Sequence, residues 1–383
     1  MTGELRVQSD RVWQKSLLLR GGMHQSVLEA LQALVRAMNS YYSNRIEGQS
    51  THPVYIAEAQ ANKFHAEPRI AQRQRLALAH IDAELELEQL VAPNRPGSPM
   101  QPLSADFAQL AHRALYERLS PEDRLSEHGI EVVPGALRNQ DVTVFRHHAP
   151  THAAVPRFLE RFDQVYARSW VSTELPYVAA CAHHRLAWIH PFVDGNGRTA
   201  RLQTHAALWQ LTGGLWSVNR GLAKAREAYY AHLSEADIAR HGDLDGRGNL
   251  SERMLVKWCE FFLAICEDQV DFMSTLLNLG GMKTRLAQLV AARAQEPGQA
   301  LVFRPEVVLA LHHLYAAGPV SRGEFQQLTG LAERTAVRVL GGLLRDGIVI
   351  SESRHTPVRL ALQLKDLPLL LPGLYPESAS PLP

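Results

Sequence analysis

His190-Pro-Phe-Val-Asp-Gly-Asn-Gly-Arg-Thr-Ala-Arg201 is the stretch that decides how this 383-residue chain folds and works. Helical spacing ends just before it, at Ile189, and resumes after Arg198, so the stretch reads as a loop between two helices. Gly195 and Gly197 let the backbone turn sharply, and its amide groups can then converge on one concavity. Such a nest at the start of a helix binds phosphate oxygens through N–H groups and the helix dipole. Arg198 and Arg201 lie three apart, hence near one another on the following helix, and each can meet a phosphate in a bidentate manner. Asp194 offers a hard oxygen ligand for Mg²⁺, which is usually held by one or two carboxylates plus substrate phosphates. His190, with an ordinary pKa of about 6.5, suits removal of a hydroxyl proton near neutral pH. From the mouth of the loop it can face a phosphate opposite a departing pyrophosphate, which leaves in-line attack a matter of positioning and charge stabilisation. The bland alternative is a helix–turn–helix connection in which Asp-Gly-Asn-Gly is only a turn.

Outward from the loop, most of the chain carries helical periodicity. Val27, Leu28, Leu31, Leu34 and Val35 sit at helix spacing between His24 and Met38, and a helix-rich stretch runs from Pro53 to Leu90. Pro93-Asn-Arg-Pro-Gly-Ser-Pro-Met-Gln-Pro102 cannot continue a helix and marks a linker or domain edge. Ser104 is a good N-cap for a helix reaching Leu119. Val142-Thr-Val-Phe145, preceded by Val132-Val-Pro-Gly-Ala-Leu-Arg138, is the best strand signal before the C-terminal quarter and reads as an exposed hairpin. Helices return from Val155 to Trp188, with Pro176 tolerable in a first turn.

Composition bounds the function class. Forty basic against 39 acidic side chains give a net charge of +1, which supports no global attraction to nucleic acid. Cys181, Cys259 and Cys266 are odd in number and lack metal or disulfide spacing, so they read as buried small hydrophobes in a reducing compartment. No signal-like segment or membrane-length apolar run is present, and the expected location is cytoplasmic, with no membrane partner.

Ser43-Asn-Arg-Ile-Glu47-Gly48 is the second informative segment. Gly48 reads as the residue that ends a helix, which puts Glu47 in the last turn. There the helix dipole disfavours a negative charge by about 0.3–1 kcal/mol, so a compensating cation is expected elsewhere. Ser43 lies four residues earlier on the same face.

The run from His190 to Arg201 resembles the Fic family signature, His-x-Phe-x-Asp-Gly-Asn-Gly-Arg-x-x-Arg, at every specified position. Ala182–Ile189, Gly221–Tyr230 and Gly242–Ser251 are also similar to the family, and the likeness extends from Ser40 to Met273. It implies a mainly α fold: a Fic helical core with a β-hairpin flap at 136–148 that pairs with a target's backbone. It implies a protein adenylyltransferase that moves AMP from ATP to a Tyr, Thr or Ser hydroxyl of a protein target. His190 would be the general base, and Asp194 would hold Mg²⁺ between the α- and β-phosphates. Gly195, Asn196 and Gly197 would bind the α-phosphate region, Arg198 the β-phosphate and Arg201 the γ-phosphate. Phe192 would anchor the loop in the core. Gly197 departs from relatives that phosphorylate, where Lys often replaces it. Tyr229, Tyr230 and Trp258 sit where an adenine pocket would form, although core packing is the commoner role for such aromatics. Ser43, Glu47 and Gly48 resemble the family's inhibitory motif, whose Glu pairs with the second arginine; the same Glu in some relatives positions water for de-AMPylation.

The expected domains are an N-terminal helical region at 1–95, with the inhibitory helix at 40–48; a catalytic core at 96–275; a connecting helix at 276–302; and a C-terminal α+β domain at 303–383. In that last part, helical runs at Pro305–Tyr315, Ser321–Leu328 and Glu333–Leu344 precede two short strands, Ile348–Ile350 and Val358–Leu362, a winged-helix-like order. Arg334, Arg338 and Arg345 would face DNA. Seven basic against five acidic residues between Phe303 and Leu362 make a thin footprint for that, and protein docking or a homodimer is an equal expectation. The alternative function is thus a DNA-binding transcriptional regulator whose Fic site senses nucleotide.

Overall fold

The computed structural model describes residues 2–21, 23–93, 100–126, 129–144 and 147–375. Among them the helices are α1 (Gly3–Arg20), α2 (Gln25–Ile46), α3 (Pro53–Gln60), α4 (Pro68–Val91), α5 (Ala105–Tyr116), α6 (Val155–Tyr166), α7 (Leu175–Ile189), α8 (Asn196–Thr212), α9 (Val218–Lys224), α10 (Arg226–Glu235), α11 (Glu252–Leu277), α12 (Leu279–Ala294), α13 (Val307–Ala317), α14 (Arg322–Leu328), α15 (Glu333–Asp346) and α16 (Leu367–Leu370). The strands are β1 (Thr143–Val144), β2 (His147–His148), β3 (Val349–Ile350) and β4 (Arg359–Leu360). The chain divides into two compact units.

The first unit comprises 1–19, 36–51 and 58–271. Its centre is α8, which is buried on nearly every side, as a helix at the core of a domain is. Small residues make this possible. Leu202 and Ala206 pack with Ala83 and Leu87 of α4 and with Phe107, Ala111 and Leu115 of α5. On its other side, Ala200 and Ala207 join a cluster with Leu159 of α6 and with Ala182, Leu186 and Ile189 of α7. The Ser104 cap is present, its hydroxyl accepting from Phe107 N at 3.1 Å. Pro176 occupies the first turn of α7.

Helix α1 lies in the region expected to be helical, 1–95, but no amphipathic period marks it. Its buried stripe is Leu5, Ser9, Val12, Ser16 and Leu19, and the two serines break the apolar pattern. Both find partners: Ser9 Oγ donates to Thr173 O (2.6 Å), and Ser16 Oγ donates to Val12 O (2.7 Å) while accepting from Trp216 Nε1 (3.1 Å). The hairpin also differs in detail. β1 pairs antiparallel with β2, which follows it, rather than with 132–138; Phe145 lies outside the described residues, as does most of the proline-rich linker.

The second unit comprises 20–35, 52–57 and 272–383. Within it α13, α14 and α15 occur in the expected order. β3 and β4 then pair antiparallel, Val349 opposite Leu360, and Val320 makes an additional bridge to Val358. Val339, Leu340 and Leu343 of α15 and Leu311 and Leu314 of α13 are buried. Arg334, Arg338 and Arg345 stay on the exposed face of α15. No helix among the described residues is long and apolar enough to cross a membrane.

Candidate active site

The loop between α7 and α8 is held by side chains from several elements. His190 ends α7 in the left-handed region (φ 51°), its N–H bonded to Leu186 O at 3.0 Å. Gly195 precedes α8 with φ 76°, where a Cβ would stand 2.5 Å from the Tyr116 ring. A side chain there would meet both backbone strain and a collision. Asn196 folds its amide back on the loop: Oδ1 accepts from Phe192 N and Nδ2 donates to Phe192 O, each at 2.9 Å. Phe192 is fully buried and stacks on His112, ring centroids 4.0 Å apart. His112 Nδ1 accepts from Gly135 N (2.8 Å), so Nε2 carries the proton and donates to Asp194 O (3.2 Å). Arg138, also buried, donates its Nε to His190 O (2.8 Å) and its backbone N–H to Pro191 O (2.9 Å), with its other guanidinium nitrogens on Gln140 O and Pro150 O.

The hairpin is tied to α7 through one carboxylate. Asp237 Oδ2 lies 3.0 Å from His147 Nδ1, and Asp237 Oδ1 lies 2.9 Å from His184 Nε2. His147 Nε2 lies 2.8 Å from Trp188 O. Both ring nitrogens of His147 therefore face groups that only accept, and the ring makes both bonds only as the imidazolium. Burial alone would lower its pKa, but the Asp237 carboxylate and the Trp188 carbonyl raise it above the ordinary value.

The chemistry-bearing groups converge at the head of α8. His190 Nδ1 lies 3.3 Å from Ala187 O, an acceptor, so Nδ1 bears the proton and Nε2 keeps the lone pair. Burial is the main reason its pKa is pushed down to about 4, with the cationic His147 and Arg138 adding to it, so the ring is neutral at physiological pH. No side chain caps the first turn of α8. Arg198 donates to Gln49 Oε1 (2.6 Å) and to the Tyr116 hydroxyl (3.3 Å), and Asp194 Oδ1 is 3.9 Å from its guanidinium. Burial beside this network pushes the Tyr116 hydroxyl up to about 12. Arg201 is fully buried; Nε donates to Ser43 Oγ (2.9 Å), and Nη2 donates to Ser43 O (3.1 Å) and to Glu47 Oε1 (2.6 Å).

The end of α2 delivers that carboxylate. Gly48 (φ 75°) donates its N–H to Arg45 O at 3.1 Å, and Gln49 N–H reaches back to Asn44 O at 2.9 Å. This is the Schellman closure, with Glu47 as the last residue of the turn. Arg226 Nε (2.7 Å) and the Tyr230 hydroxyl (3.2 Å) donate to Ile46 O, satisfying a helix-end carbonyl. Glu47 Oε1 lies 2.5 Å from where a Cβ on Gly197 would be, so the carboxylate rests against the uncapped turn of α8. Burial would raise the Glu47 pKa, but Arg201, Arg198 and Arg226 together hold it below the ordinary carboxylate value.

Residues 102–208 match the Fic/DOC family. The chain carries a Fic domain. It is 28% identical over 203 residues to a "Protein adenylyltransferase Fic" of Drosophila grimshawi, covering 52% of this chain and 41% of that protein. A relative of the same name from Nematostella vectensis is 32% identical over 168 residues, covering 42% and 35%. The matched region thus spans less than half the length of these curated relatives. A crystal structure of a Fic family protein from Desulfovibrio desulfuricans G20 has the same fold over 95% of this chain and 97% of its own, with a TM-score of 0.56 at 17% identity.

Of the residues expected from the sequence as one site, His190, Asp194, Gly195, Asn196, Gly197, Arg198 and Arg201 lie within the matched region, at the loop and the first turns of α8; Ser43 and Glu47 reach them from outside it, and Gly48 ends the helix that carries both. The Asn196 side chain is committed to the loop, so it can meet a phosphate only through its backbone N–H. Tyr229 and Trp258 are core residues: the Tyr229 hydroxyl bonds His183 Nε2 (2.9 Å), and Trp258 Nε1 donates to Ala180 O (2.8 Å). Five residues with clear parts in the geometry escaped the sequence reading: Gln49, His112, Tyr116, Arg138 and Arg226. A signal existed for Arg138, a cation closing an otherwise apolar run just before the hairpin. None existed for the other four, which reach the loop from distant segments.

Proposed function

We propose that this chain is a protein adenylyltransferase held in check by its own Glu47. The observation that carries the reading is a neutral imidazole with its Nε2 lone pair free for a proton, standing beside an uncapped helix N-terminus that bears two buried guanidiniums. A target hydroxyl oxygen attacks the α-phosphorus of ATP while His190 Nε2 takes its proton. The bond from the α-phosphorus to the bridging oxygen breaks, and pyrophosphate departs toward Arg198 and Arg201. AMP becomes esterified to the target. Backbone N–H groups of the first turn of α8 face the charge that develops on the phosphate. The Asp194 carboxylate is about one-third exposed, with Oδ1 bonded to Gly195 N, and fits a hydrated Mg²⁺. Such an ion would neutralise charge on the phosphates as they separate.

Glu47 opposes this chemistry. Its carboxylate already sits where an anion at the head of α8 would bind, and it engages the guanidinium that a γ-phosphate would need. The expected result with Mg²⁺ and α-labelled ATP is weak self-labelling of the wild type, strong labelling after Glu47→Gly, and none after His190→Ala. Equal labelling of wild type and Glu47→Gly removes the brake; labelling that survives His190→Ala removes the base. Incubating pre-labelled protein without ATP reports whether Glu47 also supports de-AMPylation.

For the C-terminal unit, three exposed arginines along one face of α15 favour contact with DNA phosphates through a winged-helix-like arrangement. A gel shift that weakens steeply with salt is the expected result, and Arg334→Ala with Arg338→Ala should abolish it. A full-length chain that leaves DNA unshifted at low salt assigns this face to protein contact instead.

A further inference from the structure

Beneath the catalytic loop lies a sealed group of ionisable side chains that the chemistry above does not use. Glu84 and Glu88, one turn apart on α4, face His205 on α8. His205 Nε2 is 2.9 Å from Glu88 Oε1 and 3.4 Å from Glu84 Oε1, and the three residues bring one donor atom each to within 4.8 Å of the others. Their exposures are 0, 3 and 3%. Each carboxylate is oriented from outside by α2: Asn39 Nδ2 donates to Glu84 Oε1 (2.6 Å), and Arg36 pairs with Glu88 Oε2 (2.7 Å).

As a closed salt-bridge network this cluster is incomplete. Glu84 Oε2 and both ring nitrogens of His80 are buried and find no hydrogen-bond partner among the described residues. His80 is fully buried, and its Nδ1 stands 3.8 Å from that same Glu84 oxygen. Buried polar atoms are seldom left without a partner, and two of these, His80 Nδ1 and Glu84 Oε2, lie beside one another at the cluster, which marks a place where something is bound. A proton on His205 serves Glu84 Oε1 and Glu88 Oε1 but leaves the other three atoms as they are.

A cation answers the geometry better. Tetrahedral coordination with bonds of about 2.0–2.2 Å sets neighbouring donor atoms about 3.3–3.6 Å apart, close to the separations around His205. Two carboxylates neutralise a divalent charge. The outer bonds from Asn39 and Arg36 are of the kind that fix the orientation of metal ligands. Mixed carboxylate and imidazole donors suit a first-row transition ion better than Mg²⁺ or Ca²⁺. We infer that Glu84, Glu88 and His205 bind one first-row divalent cation of the zinc type, with His80 turning in as the fourth ligand. The ion pins α4 to α8 one helical turn beyond Arg201, and through Arg36 and Asn39 it also fixes the helix that carries Glu47. It is independent of AMP transfer.

The test uses the full chain carrying Asp194→Asn, which removes the carboxylate proposed to hold Mg²⁺. Because the site is sealed, the protein is produced in medium supplemented with Zn²⁺ or Co²⁺, then desalted against chelator. The expected result is about one equivalent of metal per chain, with the intense visible absorption of four-coordinate Co²⁺. Glu88→Gln in the same background should lower metal affinity by more than the roughly 10–100-fold that losing an outer partner of a metal ligand costs. A folded Asp194→Asn chain that retains no transition metal overturns the inference without recourse to the second variant. Equal cobalt retention and an identical spectrum in Glu88→Gln overturn it as well, since the ion would then lie elsewhere.

Discussion

Glu47→Gln isolates the charge in the Glu47–Arg201 pair, because glutamine keeps the shape and still offers Oε1 to the Arg201 guanidinium. In the wild type that oxygen is 2.6 Å from Arg201 Nη2 and rests against the bare Cα of Gly197. A γ-phosphate approaching Arg201 must come within about 4 Å of the carboxylate, where two unit charges at an effective dielectric constant near 20 repel by about 4 kcal/mol. The carboxylate is 29% exposed, and water reaching it reduces this to about 2 kcal/mol. Removing the charge should therefore raise kcat/KM for self-AMPylation about thirtyfold. Stability should move the other way. Arg201 is fully buried, and without a carboxylate its charge leans on Ser43 and a neutral amide, at a cost of about 1–3 kcal/mol. In a unit of this size that is a fall in Tm of about 5 °C, which MgATP should largely reverse. Since Arg201, Arg198 and Arg226 depress the Glu47 pKa against the burial that would raise it, the stability from the pair is present above the ordinary carboxylate range. It is lost as pH falls through the lower folded value, so the difference in Tm should shrink in acid. Labelling and Tm both unchanged in Glu47→Gln would refute this account of the brake.

The His190 ring, at about 4, should stay competent in mild acid. With Glu47→Gly and saturating MgATP, self-labelling at pH 5.5 should keep most of its neutral rate, whereas an ordinary imidazole would lose about tenfold; a midpoint near 6.5 would show that the ring is not held as described. A histidine with a depressed folded pKa also contributes stability above its unfolded value that is lost between about 6.5 and 4 as pH falls, and His190→Gln should flatten that part of the stability profile. His147 behaves oppositely: its raised pKa means that the tie to Asp237 and Trp188 is fully present below the ordinary histidine value and is lost as pH rises through the folded one. Backbone amides of Val144 and His147 should lose exchange protection over that range beyond the intrinsic rate change, and Asp237→Asn should remove the pH dependence; equal profiles would exclude the clamp. Gly195→Ala should cost about 2–4 kcal/mol and abolish labelling, because a side chain there meets both a positive φ and the Tyr116 ring. A folded, active Gly195→Ala enzyme would mean the loop is not held as described.

The site was legible where its chemistry is local. One run of twelve residues carries the proposed base, the carboxylate proposed for Mg²⁺, the glycines and both arginines, and a sequence window sees all of them together. Ser43 and Glu47 were legible for a different reason: a carboxylate at a helix C-terminus is out of place by its own local rules. What stayed hidden is support that arrives from afar. Tyr116 and Gln49 meet Arg198 only once α5 and the end of α2 are packed beside α8, and no spacing in the chain announces it. Helix α1 hid because two of its inward residues are serines. In α8, tight packing on nearly every side leaves no polar face, and amphipathic periodicity has little to detect. Nor does any local signal show that Glu84 and Glu88 of α4 are buried.

The missing side chain of Gly197 constrains how regulation can be lost. The volume it leaves free is filled by Glu47 at rest and would have to be filled by phosphate oxygens at work. A methyl group there would evict both tenants. Genetic selection for unrestrained enzyme should therefore recover changes at Ser43 through Gln49 and leave the loop itself untouched, so control can drift during evolution while the catalytic turn stays fixed.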